Sequence, residues 1–585
     1  MRNILGLAVL GSVITFPALA QQSLYVSYPP TTYKTASDRI FVMGTAPSKG
    51  QVLVNGTAIP RSPAGHFAPS FPLKLGENQF KVRYQSKEIN LKVTRTATQA
   101  AIPKGVEFAE GSLEPSVDIS RMPGELFCFG AIAPPQANVS VNIGGQTIPL
   151  FVQEQVVNLP ANSAALVSAQ QNQPSAVSGA GHYLGCAAAA AAADLGNPQF
   201  QLEKNGQQVS QQGPGKVQII SPAKLEIAEV IVDGGIARSG ASTDFARLTP
   251  LPKGTKASIT GREGEWVRLD YGGWINSKEV KIVPGSAPPK SIIRSITSRK
   301  VAGATEVVFP LQVPVPVTVQ QGDRQLVLTL YNTTSQTDII RLDDDPIISR
   351  LDWQQVSPGV VQYTFNLKSL QQWGYKLQYR GTSLVLSLRH PAKISKQASK
   401  PLSGIKIVLD PGHGGKESGA AGPTGYLEKD ANLYVSKLVG YQLMARGATV
   451  YMTRETDKQV SLPERVAIID KVQPAIAVSI HYNSLPDQGD ALKTQGFGAF
   501  WYHPQAHSLA MFVHNYIVQN ARRPSYGVFW DNLALARPAT APSVLLELGF
   551  MSNPQEFEWV ANPQQQQKMA KAIADGITQW FVATK

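Results

Sequence analysis

Beyond residue 404 the period of the hydrophobic pattern changes, and that change constrains the fold of this chain more than any other feature. Short apolar runs, "IKIVL" (405–409), "ATVYM" (448–452), "AIAVSI" (475–480) and "SVLLEL" (543–548), alternate with segments of helical period at 430–446, 462–472, 507–519 and 563–581. Continuous apolar strands separated by amphipathic helices are the pattern of a mostly parallel sheet covered on both faces. Residues 405–585 are therefore expected to form an α/β domain with a twisted, mostly parallel sheet.

Upstream of 391 the pattern has period two, broken by turn signals, and 585 residues are too many for one core. The expectation is a series of small all-β modules. In 24–95 the Asn55-Gly56 pair signals a hairpin and residues 80–84 alternate strictly, as in an immunoglobulin-like sandwich. Residues 100–218 form a second β-rich region. It is interrupted by a Gln/Ser/Ala-rich stretch at 161–180 and by seven alanines at 187–193, which fit either a short helix or a loop. Residues 222–284, with Trp266 and Gly-Trp-Ile at 273–275, resemble bacterial SH3-like domains. The two tryptophans would either line a groove there or fill the core. Residues 291–390 are a further β-rich block, and "PAKISKQASKPLSG" (391–404) reads as a linker.

Arg2, an apolar run at 4–16 and Ala18-Leu19-Ala20 have the form of a signal peptide over 1–20, too short to cross a bilayer. The expected location is exported, in the periplasm or cell envelope, with no transmembrane segment in the mature chain. In an oxidising compartment Cys128 and Cys186 are expected to form a disulfide, ahead of the alternative of two buried thiols. A net charge of +13 would ordinarily raise nucleic acid as a partner. Export and the lack of a dense Lys/Arg run argue against it, leaving wall polyanions or simply a solvated basic surface.

Ligands of open α/β sheets gather beyond the carboxyl ends of the strands. The run 405–409 leads into Asp410-Pro411-Gly412-His413, 475–480 into His481-Tyr482-Asn483, and 543–546 into Glu547. Glu428 stands at the start of the first helix, where the helix dipole favours a carboxylate. Two histidines and a glutamate make a catalytic zinc set with one position left for water, and a second carboxylate beside it would handle protons. The residues alone leave the plainer alternative open: a helix-start charge and ordinary loop histidines.

The segments "LDPGHGG", "GYLEKDANL", "VYMTRETD", "LPERV", "VSIHYNS" and "SVLLELGFMSNPQE" stand in the order and spacing of exported zinc-dependent N-acetylmuramoyl-L-alanine amidases. The resemblance covers about 405–583. It implies hydrolysis of the amide between N-acetylmuramic acid and L-alanine in peptidoglycan, with one Zn2+ held by His413, Glu428 and His481. By the same resemblance Glu547 is the catalytic acid and base. Residues 291–390 faintly resemble the targeting domains that precede some of these enzymes. The chain departs from the family pattern at Glu417-Ser418, where Asp-Pro is usual, and at Ile469-Asp470, where Ala-Asn is usual.

Arg454, Arg465 and Asn483 have two readings, substrate contact or loop support. His503, His507 and His514 lack a carboxylate, and Pro504 is expected to break the turn between the first two, so they read as a polar helix face. Other functions for the chain are a wall-binding scaffold with an inactive amidase domain, or a zinc peptidase acting within the stem peptide. Only 66 positions separate His481 from Glu547, which leaves no room for an inserted plugging helix. No protein activator is implied, and residues 405–585 alone would be expected to work with zinc.

Overall fold

The computed structural model describes residues 23–97, 100–167, 171–284, 287–397 and 399–584. The expected signal peptide lies outside the described residues. No helix among those described is long and apolar enough to cross a membrane.

The C-terminal domain is built in the order β1 (Lys406–Pro411), α1 (Glu428–Ala445), β2 (Thr449–Met452), α2 (Leu462–Val472), β3 (Ile476–Asn483), β4 (Phe497–Trp501), α3 (Pro504–Asn520), β5 (Ser525–Trp530), β6 (Ser543–Phe550), α4 (Pro554–Val560) and α5 (Pro563–Ala583). The sheet order is β2-β1-β3-β6-β4-β5. Strands β2, β1, β3 and β6 are parallel neighbours, β4 runs antiparallel to β6, and β5 follows β4 in parallel.

Period two within each strand decides which face a residue covers. Ile407, Leu409, Ile476, Val478 and Ile480 face the main core with Val435 and Val439 of α1 and Ile573 and Ile577 of α5. Val408 and Ala477 point the other way and meet Ile469 of α2 and Leu535. Helix α2 begins with a full capping box, the Ser461 hydroxyl accepting from the Glu464 amide and the Glu464 carboxylate accepting from the Ser461 amide.

Helix α3 corrects one expectation. Pro504 does not break a turn but opens the helix, with His503 as its N-cap. At the first helical position a missing N–H costs nothing and the fixed φ suits the helix. His507 lies on this helix against Trp501, and His514 is buried, bonded to Ser525 at 2.9 Å.

The preceding β segments are packed, not strung. In the first, Asn55 and Gly56 both take positive φ (51° and 84°) and join Val52–Val54 to Thr57–Ala58. Its core is Val52, Phe67, Val82 and Val93. In the second, Cys128 and Cys186 are register partners in adjacent antiparallel strands and are joined, S–S 2.09 Å. The alanine run is neither helix nor a single loop: Ala187 and Ala188 end the strand His182–Ala188, and Ala193 begins the strand Ala193–Gly196. Part of the Gln/Ser/Ala-rich stretch is a hairpin strand, Ser175–Ser178, paired with Gln155–Asn158.

Ile119–Arg121 pairs with Val217–Ile219 on one side and with Lys256–Glu263 on the other, so segments expected as separate modules share one eight-stranded sheet. Trp274 is buried with the guanidinium groups of Arg121 and Arg268 close to its ring, while Trp266 is half-buried under Arg238. Residues 291–390 form a five-stranded and a four-stranded sheet around Phe309, Tyr363 and Phe365. Among its described residues the expected linker has no helix or strand, but Leu402 is fully buried in the core of the C-terminal domain and its amide donates to Arg446 O.

Candidate active site

Strands β1, β3 and β6 all deliver side chains to the carboxyl edge of the sheet. β1 ends in Asp410 and Pro411, after which the chain turns sharply through Gly412, His413 (φ 59°) and Gly414 (φ 134°). Gly412 is required by its surroundings, because a Cβ there would lie 2.1 Å from the His481 ring. Gly419 is equally confined: a Cβ would sit 2.4 Å from the Glu428 carboxylate and 2.6 Å from the His413 ring, at φ 66°.

Glu428, the first residue of α1, is the hub. Its Oε2 lies 3.2 Å from His413 Nε2 and its Oε1 lies 3.0 Å from His481 Nδ1. The amides of Ala420 (2.8 Å) and Tyr482 (3.2 Å) and the Asn432 side-chain amide (3.0 Å) also donate to this carboxylate. Burial alone would raise its pKa, yet the hydrogen bonds from His413 and His481 outweigh that and hold it well below the carboxylate range. The same bond to Glu428 raises His413 against the opposing effect of burial.

One donor atom from each of His413, Glu428 and His481 lies within 4.8 Å of the others, and the imidazole rings are 5.0 Å apart and nearly perpendicular. Two neutral nitrogens and one carboxylate oxygen suit zinc chemically, and three protein donors leave a coordination position free. The His413 side chain keeps 31% of its surface exposed, so the cluster has access to solvent.

Glu547 stands on β6 in direct register with His481 on β3, and across β4 it faces Gly498. Its Oε2 is buried and has no hydrogen-bond partner among the described residues. Burial, and then the charge on Glu428, raise this carboxyl well above the usual range. A buried, unpartnered carboxylate oxygen beside a possible metal cluster is costly unless something else is to occupy the space.

The two arginines flagged in the sequence are in the interior, 1% and 2% exposed, and both grip the backbone of the His413 turn. Arg454 donates to Pro411 O (3.0 Å), Gly412 O (2.8 Å) and Lys429 O (2.8 Å). Arg465 donates to Asp410 (2.6 Å), Pro411 O (2.7 Å) and His413 O (2.6 Å). Of their two readings, the contacts are those of support. Asn483 accepts from the Ser484 amide at 2.8 Å through its side chain and from the Met551 amide at 2.8 Å through its carbonyl, which shapes the end of β3.

Three contributors were not singled out from the sequence. Asp410 accepts from Thr453, Ser479 and Arg465 beneath the histidine turn. Asn432 bridges Glu428 and Gly412 O, and its place one turn after Glu428 on the same helix was the available signal. Tyr526 packs against Phe550 and lies close enough to Glu547 for that charge to raise its phenol, after burial, to about 12.

Residues 407–579 match the family model described as N-acetylmuramoyl-L-alanine amidase, and residues 233–281 match that of the bacterial SH3 domain. Two relatives are called probable cell wall amidase LytH. The one from Staphylococcus epidermidis is 36% identical over 186 residues, 32% of this chain and 61% of the relative. The one from Staphylococcus aureus is 36% identical over 185 residues, 31% of this chain and 60% of the relative. The chain thus spans about three-fifths of the length of these relatives. Among solved structures, the N-acetylmuramoyl-L-alanine amidase AmiC2 of Nostoc punctiforme is 36% identical, covering 30% of this chain and 96% of that one, with a TM-score of 0.29.

Proposed function

We propose that residues 405–585 hydrolyse the amide between the lactyl group of N-acetylmuramic acid and the L-alanine of the stem peptide in peptidoglycan. The observation that carries this reading is the cluster of His413, Glu428 and His481 with the unpartnered Oε2 of Glu547 beside it, inside the stretch that matches the amidase family. His413, Glu428 and His481 would hold one zinc ion. Zinc bound there supplies a Lewis acid for the scissile carbonyl and makes water acidic enough to react near neutral pH.

The protein groups do the rest. Glu428 draws both imidazoles together and keeps them oriented from the rigid start of α1. Arg454 and Arg465 fix the carbonyls of 411–413, and with them the backbone from which the His413 ring reaches Glu428. Glu547 is the general base and acid: it takes the proton of the attacking water and returns it to the nitrogen of L-alanine as the bond breaks. Such a chain would act at the cell wall, where peptidoglycan is its substrate.

Digestion of purified peptidoglycan by the zinc-loaded chain tests the reading. Mass spectrometry should find intact stem peptides beginning with L-alanine and glycan strands stripped of peptide. Cleavage inside the stem peptide would make the chain a peptidase instead.

A further inference from the structure

The loop between β3 and β4 links the His481 strand to the strand alongside Glu547, and it is folded largely by residues outside its own domain. Leu485 and Ala491 of this loop are buried with Phe41, Met43 and Ala68 of the first β segment, and Phe550, with Tyr526 packed against the cluster, is the catalytic domain's own contribution. Asp487, at the loop's tip, accepts hydrogen bonds from the hydroxyls of Tyr28 and Thr35. Ser70 Oγ donates to Gly489 O at 3.2 Å. Burial, and then the Asp487 carboxylate, keep the Tyr28 phenol protonated and therefore a donor. The same β segment also reaches the glycine-rich loop before Glu428, where Tyr25 lies against Gly425, and α4, where His66 meets Phe557 edge-on.

We propose that Tyr28, Thr35 and Asp487 are positioning residues: through them the first β segment holds loop 484–491, which leaves β3 just after His481, as one wall of the surface that receives substrate. This rests on the amidase reading for its substrate. The metal donors come from strands and a helix with their own core, so the clamp governs how peptidoglycan is received and not whether metal is held. A domain cut at 405 would leave Leu485 and Ala491 uncovered, so the expectation that it works unaided is not one the packing favours.

The test uses the full chain. Asp487→Ala and the double variant Tyr28→Phe/Thr35→Val break the clamp from opposite sides. Asp487→Asn keeps an acceptor for Tyr28 and a polar atom facing Thr35. Hydrogen bonds to a half-buried charge are strong enough that amide exchange in 484–491 should quicken about tenfold in the first two variants. The KM for peptidoglycan should rise by about the same factor, with kcat within about twofold and zinc content unchanged, since wall contacts act on binding. Asp487→Asn should restore both readouts. Unchanged exchange in 484–491 overturns the clamp, and faster exchange with unchanged KM overturns its role in receiving substrate. A zinc-loaded wild-type chain silent on peptidoglycan would instead refute the amidase reading, and exchange alone would then decide the clamp.

Discussion

Arg465 and Asp410 meet at 2.6 Å with side chains only 3% and 2% exposed, directly beneath the turn that carries His413. The guanidinium is shared: one nitrogen serves Asp410 and the other donates to His413 O. A charge pair so deep is weak evidence of net stability, but removing one member leaves the other uncompensated, at a cost of about 3–5 kcal/mol. Arg465→Met should therefore lower the unfolding free energy of the catalytic domain by about that much. Arg465→Lys should recover part of the stability yet bind zinc more weakly, because a single ammonium cannot span Asp410 and the His413 carbonyl. Denaturant unfolding and zinc titration of the two variants check this, and equal zinc affinity in Arg465→Lys would deny the guanidinium its hold on the turn.

Loss of a donor should be read in the metal before it is read in activity. His481→Ala and Glu428→Gln each remove one of three protein donors, and both should bring zinc content well below one per chain after dialysis. Circular dichroism should be little changed, since the sheet core beneath does not depend on these side chains. Full zinc occupancy in either variant would place the metal elsewhere.

Glu547→Gln separates chemistry from binding. The amide matches the carboxyl in size and Glu547 is not among the metal donors, so fold and zinc content should persist. Turnover should fall by about 10²–10⁴-fold, the usual worth of a general acid–base group. Activity within a few-fold of wild type would assign the proton transfer to another residue.

Acid stability should carry the signature of His503. Burial lowers its pKa to about 4, and a hydrogen bond to Arg537 O (2.8 Å) only partly opposes this. The folded imidazole is neutral, so the unfolded chain takes up a proton first as pH falls through about 6.5. Stability is then lost between about pH 6.5 and 4, levels off below, and totals about 3 kcal/mol at most. His503→Gln should flatten that part of the curve relative to wild type. Parallel curves from calorimetry at pH 7.5, 6.0 and 4.5 would show that the imidazole is solvated.

How much of this was legible depends on the range of the interaction that decides each feature. The mostly parallel sheet could be read because runs such as 475–480 are apolar on both faces, Ser479 being the one polar side chain, which is what a doubly covered strand requires. His481 and Glu547 stood out because each directly follows an apolar run, and His413 because it closes the short Asp-Pro-Gly turn after one. The Arg465–Asp410 pair could not be read, since 55 positions separate the partners and each alone has the look of a surface charge. The edge strand β5 was missed because Gly527 interrupts its alternation and its side chains are mostly half-exposed. The seven alanines defeated period analysis altogether, since side chains of one size record no preference between faces. Packing of Phe41 and Met43 on Leu485 depends on the shapes of two finished surfaces, which no local pattern encodes.

The shared eight-stranded sheet has a mechanical consequence. Lys256–Glu263 continues past its partner Ile227–Val230 and is met there by Ile119–Arg121, and the ion pairs Arg121–Glu263 (2.6 Å) and Arg268–Glu125 (2.7 Å) span the same junction. An uncovered barrel edge would be a template for stray pairing with another chain. Here it is spent internally, and a joint that could have swivelled is welded. Ile119–Arg121 and Lys256–Glu263 therefore form a strut: load applied to one segment passes to the other through a backbone ladder rather than being taken up by bending of a tether.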